Sequence, residues 1–310
     1  MPNHCHIGHL QLASLIVRLL VGCLFVVSAI AKLWGIDSFE VYLYSFAFFP
    51  LSISLVAARV VIVAELLLGI TFLIGAWQTV TSVVASLLLL VFNVFLCYAL
   101  IIQRHDSCQC VGQIVSISPT WSLIKNSVLL LFTLFLTRHP HHSIRPRWWI
   151  WLPVSVGVTA TIFILSVPDC WMFGSSHEAY NATELKQLSE PNQPLHHADI
   201  YHGSKVVVFA SERCPYCRMA LQKLQAIATR HHLDQQQFVV ILPQPKQPLP
   251  PSTKPQIPML QGIRYHIPSD TFNHITYGRR PIILLMHDGH TEHSYHYRNI
   301  DEKQIAQFLQ

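Results

Sequence analysis

Five long apolar runs constrain this chain more than any other feature. They cover residues 12–33, 51–77, 80–102, 119–136 and 148–167. Each approaches or exceeds the roughly 20 residues that a helix needs to cross a bilayer. In lipid the backbone must satisfy its own polar groups, so such runs fold as helices. The chain is 51% hydrophobic and only 12% charged, about half the usual charged fraction. A single soluble domain is therefore excluded. Within the first run, Leu20-Val21-Gly22-Cys23 imitates a lipoprotein box and Ser28-Ala29-Ile30-Ala31 a cleavage site. The run is longer than a signal-peptide core and little basic charge precedes it, so it reads as a retained span.

The charges give orientation. Residues 138–147 hold Arg138, Arg145 and Arg147 with His139, His141 and His142, the strongest cytoplasmic signal in the chain. Counting spans from there puts the N-terminus inside, and residues 34–50, 103–118 and the C-terminal part outside. Lys32 and Arg104 run against this count. The net charge of +5 is not gathered into a basic run, so nucleic-acid binding has no support. Ionisable groups within spans cost roughly 2.5–3.5 kcal/mol each, which asks for partners. Arg18 and Glu65 are expected to pair across the first two spans, with proton handling by Glu65 as the alternative. Arg59 and Lys125 lie nearer span ends and are expected to snorkel. His4, Cys5, His6 and His9 could bind a metal, but nineteen histidines are scattered through the chain.

Beyond a polar linker, 174–202, an apolar strand-like run at 206–209 leads into Ser211-Glu212-Arg213-Cys214-Pro215-Tyr216-Cys217 and then an amphipathic helix with Ala220, Leu221, Leu224 and Ile227 on one face. Strand, C-x-x-C, helix is a redox context. The helix N-terminus favours a thiolate at Cys214, and Cys217 stands one turn on, near enough to close a disulfide. Half a zinc site is the competing reading, with His231 and His232 as further ligands. These residues resemble the active site of the thioredoxin superfamily, in the C-P-Y-C form common in glutaredoxins, and the resemblance covers about 205–310. It implies that Cys214 attacks and Cys217 resolves. It also implies a cis-proline opening a later strand, for which Pro281 is the candidate. The residue before that proline is usually Thr or Val and here is Arg280. Strands are expected at 237–242, 281–286 and 292–297, with an Asp288-Gly289 hairpin turn and a final helix at 302–309. The proline-dense 243–258 reads as a surface insertion.

A second cysteine pair, Cys108-Gln109-Cys110-Val111-Gly112, lies between the third and fourth spans. C-x-C cannot share a helical face and belongs to a turn, where a disulfide is readily reduced. With Arg18, Gly22, Phe25, Ser28, Lys32, Phe39, Pro50, Glu65 and Gly69, this loop resembles the MauE/DoxX-like family of small four-span membrane proteins over about 12–136. Gln109 and Val111 depart from the family's C-G-C-F-G. The resemblance implies a redox-associated membrane protein, some relatives being needed to mature disulfide-rich periplasmic enzymes. Cys170 follows the fifth span on the outer side. Cys23 and Cys97 read as inert packing within spans, and Cys5 as cytoplasmic and reduced. Asn181-Ala182-Thr183 is a sequon without use in a bacterial source.

The expected architecture is a membrane all-α bundle of about five spans followed by an α/β thioredoxin-like domain. Its divisions are 1–137, a basic loop and fifth helix at 138–173, a linker at 174–202, and 203–310. The expected function is thiol–disulfide exchange with extracytoplasmic proteins through Cys214 and Cys217, with electrons relayed to or from Cys108 and Cys110. The expected location is a bacterial inner membrane. Partners are protein thiols and disulfides on the outer face, with membrane lipid around the bundle and a quinone as a candidate electron partner. No cofactor or bound metal is expected. The alternatives are delivery of copper or zinc by these thiolates and imidazoles, and an assembly factor for a disulfide-rich periplasmic enzyme.

Overall fold

A computed structural model describes residues 3–102, 119–138, 148–169, 179–188, 190, 195, 200–244, 260 and 262–310. The chain divides into two compact units: residues 1–42 with 56–167, and residues 43–55 with 168–310. Cys108, Cys110, Cys170, the basic loop 139–147 and most of the proline-dense insertion lie outside the described residues.

The first unit is helical. Its elements are α1 (Asn3–Trp34), α2 (Ile36–Tyr44), α3 (Leu51–Ile74), α4 (Gln78–Ile101), α5 (Pro119–Arg138) and α6 (Trp148–Leu165), with the ends of α2 and α3 falling in the second unit. Among the described residues four stretches are long and apolar enough to span a membrane: Gln11–Trp34, Leu51–Ile74, Gln78–Ile101 and Thr120–Arg138. The fifth expected span, α6, has 18 residues and an internal Pro153. At 1.5 Å per residue it is about 27 Å long, slightly under a roughly 30 Å hydrocarbon core. The segment after α1, expected as a loop, contains helix α2.

Two glycines set the register of α1 on α3. A Cβ on Gly69 would meet Val26 Cγ2 at 2.6 Å and the Gly22 carbonyl at 3.0 Å, and one on Gly22 would meet Phe72 and Leu73 at 3.1 Å. Such small-residue contacts are the usual close approach between membrane helices. Val21, Phe25, Leu68, Phe72, Ala85, Leu89 and Leu129 form the core around this crossing. Ser86 Oγ and Thr133 Oγ1 add a 2.8 Å hydrogen bond between α4 and α5.

The same register corrects the expected ion pair. Arg18 and Lys32 are fourteen residues apart on α1, about 21 Å along the axis. With Gly22 fixed near Phe72, antiparallel α3 brings Glu65 to Lys32. Lys32 Nζ donates to both Glu65 oxygens at 2.6 Å and to Ser28 Oγ at 2.8 Å. Both members of the pair are buried. The rings of Phe39 and Phe92 each lie 5.8 Å from the ammonium. Arg59 does not snorkel either. It is buried, paired with Glu40 of α2, and donates through Nε to the Ser166 carbonyl at 2.5 Å. Cys23 and Cys97 stand exposed on the outside of the helices rather than within their packing.

The second unit holds a mixed five-stranded sheet in the order β3-β2-β1-β4-β5. The strands are β1 (Ser204–Phe209), β2 (Phe238–Pro243), β3 (Ile263–Ile267), β4 (Ile282–His287) and β5 (His290–Tyr295). β1 runs parallel to β2 and β2 to β3, whereas β4 lies antiparallel to both β1 and β5. The central strands are near-continuous apolar runs because both faces are covered. Leu185 and Leu188, from α7 (Ala182–Gln187) and its C-cap, with Phe272 and Ile275 of α9 (Ser269–Thr276), pack on Val207, Phe209, Val239, Ile241 and Leu284. Helices α8 (Pro215–His231) and α10 (Glu302–Leu309) also pack together. The β4–β5 turn is Asp288-Gly289 with φ of 46° and 79°, the two positive values of a type I′ hairpin that make glycine the apt second residue. Strand β3 and helix α9 were not expected from sequence. Asn181 of the sequon caps α7, its side chain accepting from the Glu184 N–H at 3.2 Å.

Candidate active site

Strand β1 ends at Phe209, where its register partner is Ile282. That pairing brings the start of β4, with Arg280 and Pro281 just before it, alongside the turn leading to Cys214. The Arg280–Pro281 peptide bond is cis. The turn is closed by the Cys214 N–H donating to the Ser211 carbonyl at 3.0 Å and the Ala210 N–H donating to Ile241 at 3.0 Å. Cys214 is the N-cap of α8 with extended backbone (φ −91°, ψ 116°), and Pro215 takes the first helical position. Proline suits that position because its missing N–H would have no helical acceptor.

The two sulfurs differ sharply in environment. Cys214 is half-buried, and its Sγ accepts from the Cys217 N–H at 3.4 Å, the role that a Ser or Asp oxygen plays at other helix starts. Cys217 is completely buried. Burial pushes the Cys217 thiol well above its ordinary range, and the hydrogen bond with Cys214 adds to this. A backbone hydrogen bond from the Ser211 side and the charge of Arg280 act in the opposite direction. A thiol whose ionisation is opposed in the folded state adds stability below the ordinary thiol range and loses it as pH rises. Iodoacetamide is therefore expected to label Cys214 at neutral pH and to reach Cys217 only at pH well above about 8.5. Peptide mapping of alkylated protein across a pH series measures this, and equal labelling of both at neutral pH would contradict the assigned burial.

Tyr297, Lys223 and Arg298 also support the site, and sequence reasoning did not single them out. Tyr216, exposed between the cysteines, stacks on Tyr297 with centroids 4.9 Å apart. Lys223, buried on α8, donates to the Tyr297 carbonyl at 2.9 Å and lies 3.9 Å from the Asp169 carboxylate. Arg298 donates to the Tyr297 hydroxyl at 2.6 Å. Arg280, noted from sequence only as a departure, lies over the Phe272 ring at 5.9 Å.

The zinc alternative for C-x-x-C meets a distance limit. The cysteines open α8, while His231 and His232 close it, about 24 Å away for a 17-residue helix. His231 instead contacts Glu302 at 3.0 Å. Among the described residues no group of three or more His, Cys, Asp or Glu side chains is placed to hold a metal. His105, Cys108 and Cys110, the rest of the expected metal set, lie outside the described residues.

No solved structure matches this chain. A curated relative, "Protein TlpB" of Flavobacterium psychrophilum, is 27% identical over 165 residues. The match covers 48% of this chain and 43% of that protein, so it spans less than half of the relative's length. Residues 10–138 match the family described as Methylamine utilisation protein MauE. The helical region of this multi-pass membrane protein is thus MauE-like, with a mixed-sheet domain following it in the chain.

Proposed function

We propose that the chain is a membrane-bound thiol–disulfide oxidoreductase whose thioredoxin-like C-terminal domain faces the extracytoplasmic side. The observation that carries this reading is the pairing at the start of α8. A half-buried Cys214 sulfur is the helix N-cap, and a fully buried Cys217 stands one turn behind it. A strand–turn–helix setting and the order of parallel and antiparallel strands agree with a thioredoxin-like fold.

The Cys214 thiolate attacks one sulfur of a partner disulfide. That S–S bond breaks, the departing partner sulfur leaves as a thiolate and takes a proton from solvent, and a Cys214–partner disulfide forms. Cys217 then loses its proton and attacks Cys214 Sγ. The intermolecular bond breaks, the second partner thiol is released, and a Cys214–Cys217 disulfide remains. Two electrons have passed from the cysteine pair to the partner; the reverse sequence oxidises a partner dithiol. Arg280 favours the thiolate needed in the resolving step, against the burial that opposes it. Cys108 and Cys110 complete the proposal as the couple that exchanges electrons with Cys214 and Cys217.

Cys217→Ala is expected to accumulate a mixed disulfide between Cys214 and a partner, seen as a reductant-sensitive band containing the protein. Cys214→Ser is expected to abolish it. Absence of any trapped species with Cys217→Ala, in cells or with model disulfides, would refute the exchange reading. A thiol reagent unable to cross lipid is expected to label Cys110 and Cys214 alike in intact cells, and labelling of one alone would exclude the relay.

A further inference from the structure

The surface around Cys214 carries more positive charge than the exchange chemistry uses. Arg213 directly precedes the cysteine. Arg218 stands one turn later, its N–H donating to the Cys214 carbonyl at 3.2 Å, which puts both residues on one face of α8. Arg213 and Arg218 are exposed. The pairing of Phe209 with Ile282 brings Arg280, with Arg279 next to it, to the same turn from the β4 side. Arg279 is exposed and Arg280 half-buried, and the Arg280 charge is felt at Cys217. Against these four guanidiniums, residues 211–218 offer one acid, the exposed Glu212.

Helix stability does not ask for this arrangement. The amides and dipole of a helix start favour acidic side chains, and a cation there is unfavourable. The first turn of α8 nevertheless holds no acid. A carboxylate arriving from outside would relieve that repulsion, meeting guanidinium forks suited to bidentate contact. The aromatic residues agree with an outside partner. Tyr216 is 45% exposed and Tyr277, three residues before Arg280, is 62% exposed. Residues 211–218 and 277–280 contain four arginines, two tyrosines and no lysine, the bias that distinguishes protein interfaces from ordinary surface.

We infer that Arg213, Arg218, Arg279 and Arg280, with Tyr216 and Tyr277, form a docking surface for a protein partner whose reactive disulfide is flanked by Asp or Glu. The inference rests on the exchange reading of Cys214 and adds to it the choice of partner. Opposite charges raise the rate of encounter, an effect that salt screens. A partner with basic residues beside its disulfide is repelled by the same surface.

The test uses the reduced full chain in neutral detergent. Three peptides of equal length carry one cysteine as its pyridyl disulfide, flanked on both sides by Asp, Ser or Lys. Cys214 attacks the peptide sulfur, a protein–peptide disulfide forms, and the pyridine thiolate leaves as its thione, whose absorbance gives the rate. Cys214→Ser gives the background from other thiols, and rates with mercaptoethanol normalise each peptide's own reactivity. The Asp peptide is expected to react about tenfold or more faster than the Lys peptide at low ionic strength, with Ser between. The ratio is expected to shrink several-fold in about 1 M salt. Arg213→Gln/Arg218→Gln should lose most of it, and Arg213→Lys/Arg218→Lys should keep most of it. Each protein meets all three peptides with one thiolate, so the ratio does not register a change in that thiolate's reactivity. Equal normalised rates for Asp and Lys, with release that depends on Cys214, overturn the docking surface and leave the exchange reading standing. An Asp preference kept in full by the folded Gln double variant, or unmoved by salt, overturns it too. No Cys214-dependent release from any peptide removes the exchange reading and this inference together.

Discussion

Glu65→Ala is expected to destabilise the helical unit by about 3–5 kcal/mol, because it strands Lys32 in the bundle. The ammonium is 4% exposed and would keep only Ser28 Oγ and the faces of Phe39 and Phe92. Glu65→Gln retains an oxygen acceptor for Lys32 Nζ and is expected to cost less. The double variant Lys32→Met/Glu65→Leu removes both charges and is expected to recover most of the loss, since apolar pairs of similar volume often replace buried ion pairs at little cost. Denaturant titration of the purified full chain measures all three. Loss of thiol exchange in the double variant with stability intact would instead show that the carboxylate handles protons. A Glu65→Ala protein as stable as wild type would show that the pair is not buried as described.

The contrast between Arg18 and Lys32 shows where sequence reading stopped. Spans of about twenty apolar residues were legible because hydrophobicity alone defines them, and four of the five ranges agree with long helices. Pairing Glu65 with Arg18 failed because it used only membership in neighbouring spans. The register was held by Gly22 and Gly69, which were noted as shared residues and not as the crossing point. Helix α2 was missed because a nine-residue helix bearing Asp37 and Glu40 looks like a polar loop until Arg59 claims Glu40.

In the sheet domain, β1 and β4 were readable as apolar runs. β3 was not, since Ile263 to Ile267 includes Arg264 and His266 and lies at the sheet edge with most side chains exposed. The C-x-x-C at the head of α8 was visible because chemistry and local structure share one stretch of sequence. Its supports were hidden. Lys223 lies on an amphipathic helix, where a lysine reads as solvated, and nothing in the run around Tyr297 announces a contact with position 216, about eighty residues earlier.

Tyr297→Ala is therefore expected to have a large effect for a residue that carries no reactive atom. The ring is 3% exposed and is flanked by Tyr216 at 4.9 Å and by the Lys223 and Arg298 cations at 5.4 Å each. Truncating a buried aromatic costs about 3–5 kcal/mol, and here the loss falls on the turn that holds both cysteines. Tyr216, already 45% exposed, would lose its stacking partner, and the Cys217 amide that donates to Cys214 Sγ would exchange faster. Tyr297→Phe keeps the ring, so its stack with Tyr216 survives while the hydroxyl contact with Arg298 is lost. It is expected to cost less than about 1 kcal/mol. Hydrogen–deuterium exchange of the full chain in detergent distinguishes the two variants. Protection around residues 214–218 should fall in Tyr297→Ala and hold in Tyr297→Phe, and the rate of Cys214 capture by a model disulfide should follow it. Unchanged protection in Tyr297→Ala would mean that the cysteine turn is held by the backbone bonds of Ser211 and Ala210 alone, and that the aromatic stack contributes only surface cover.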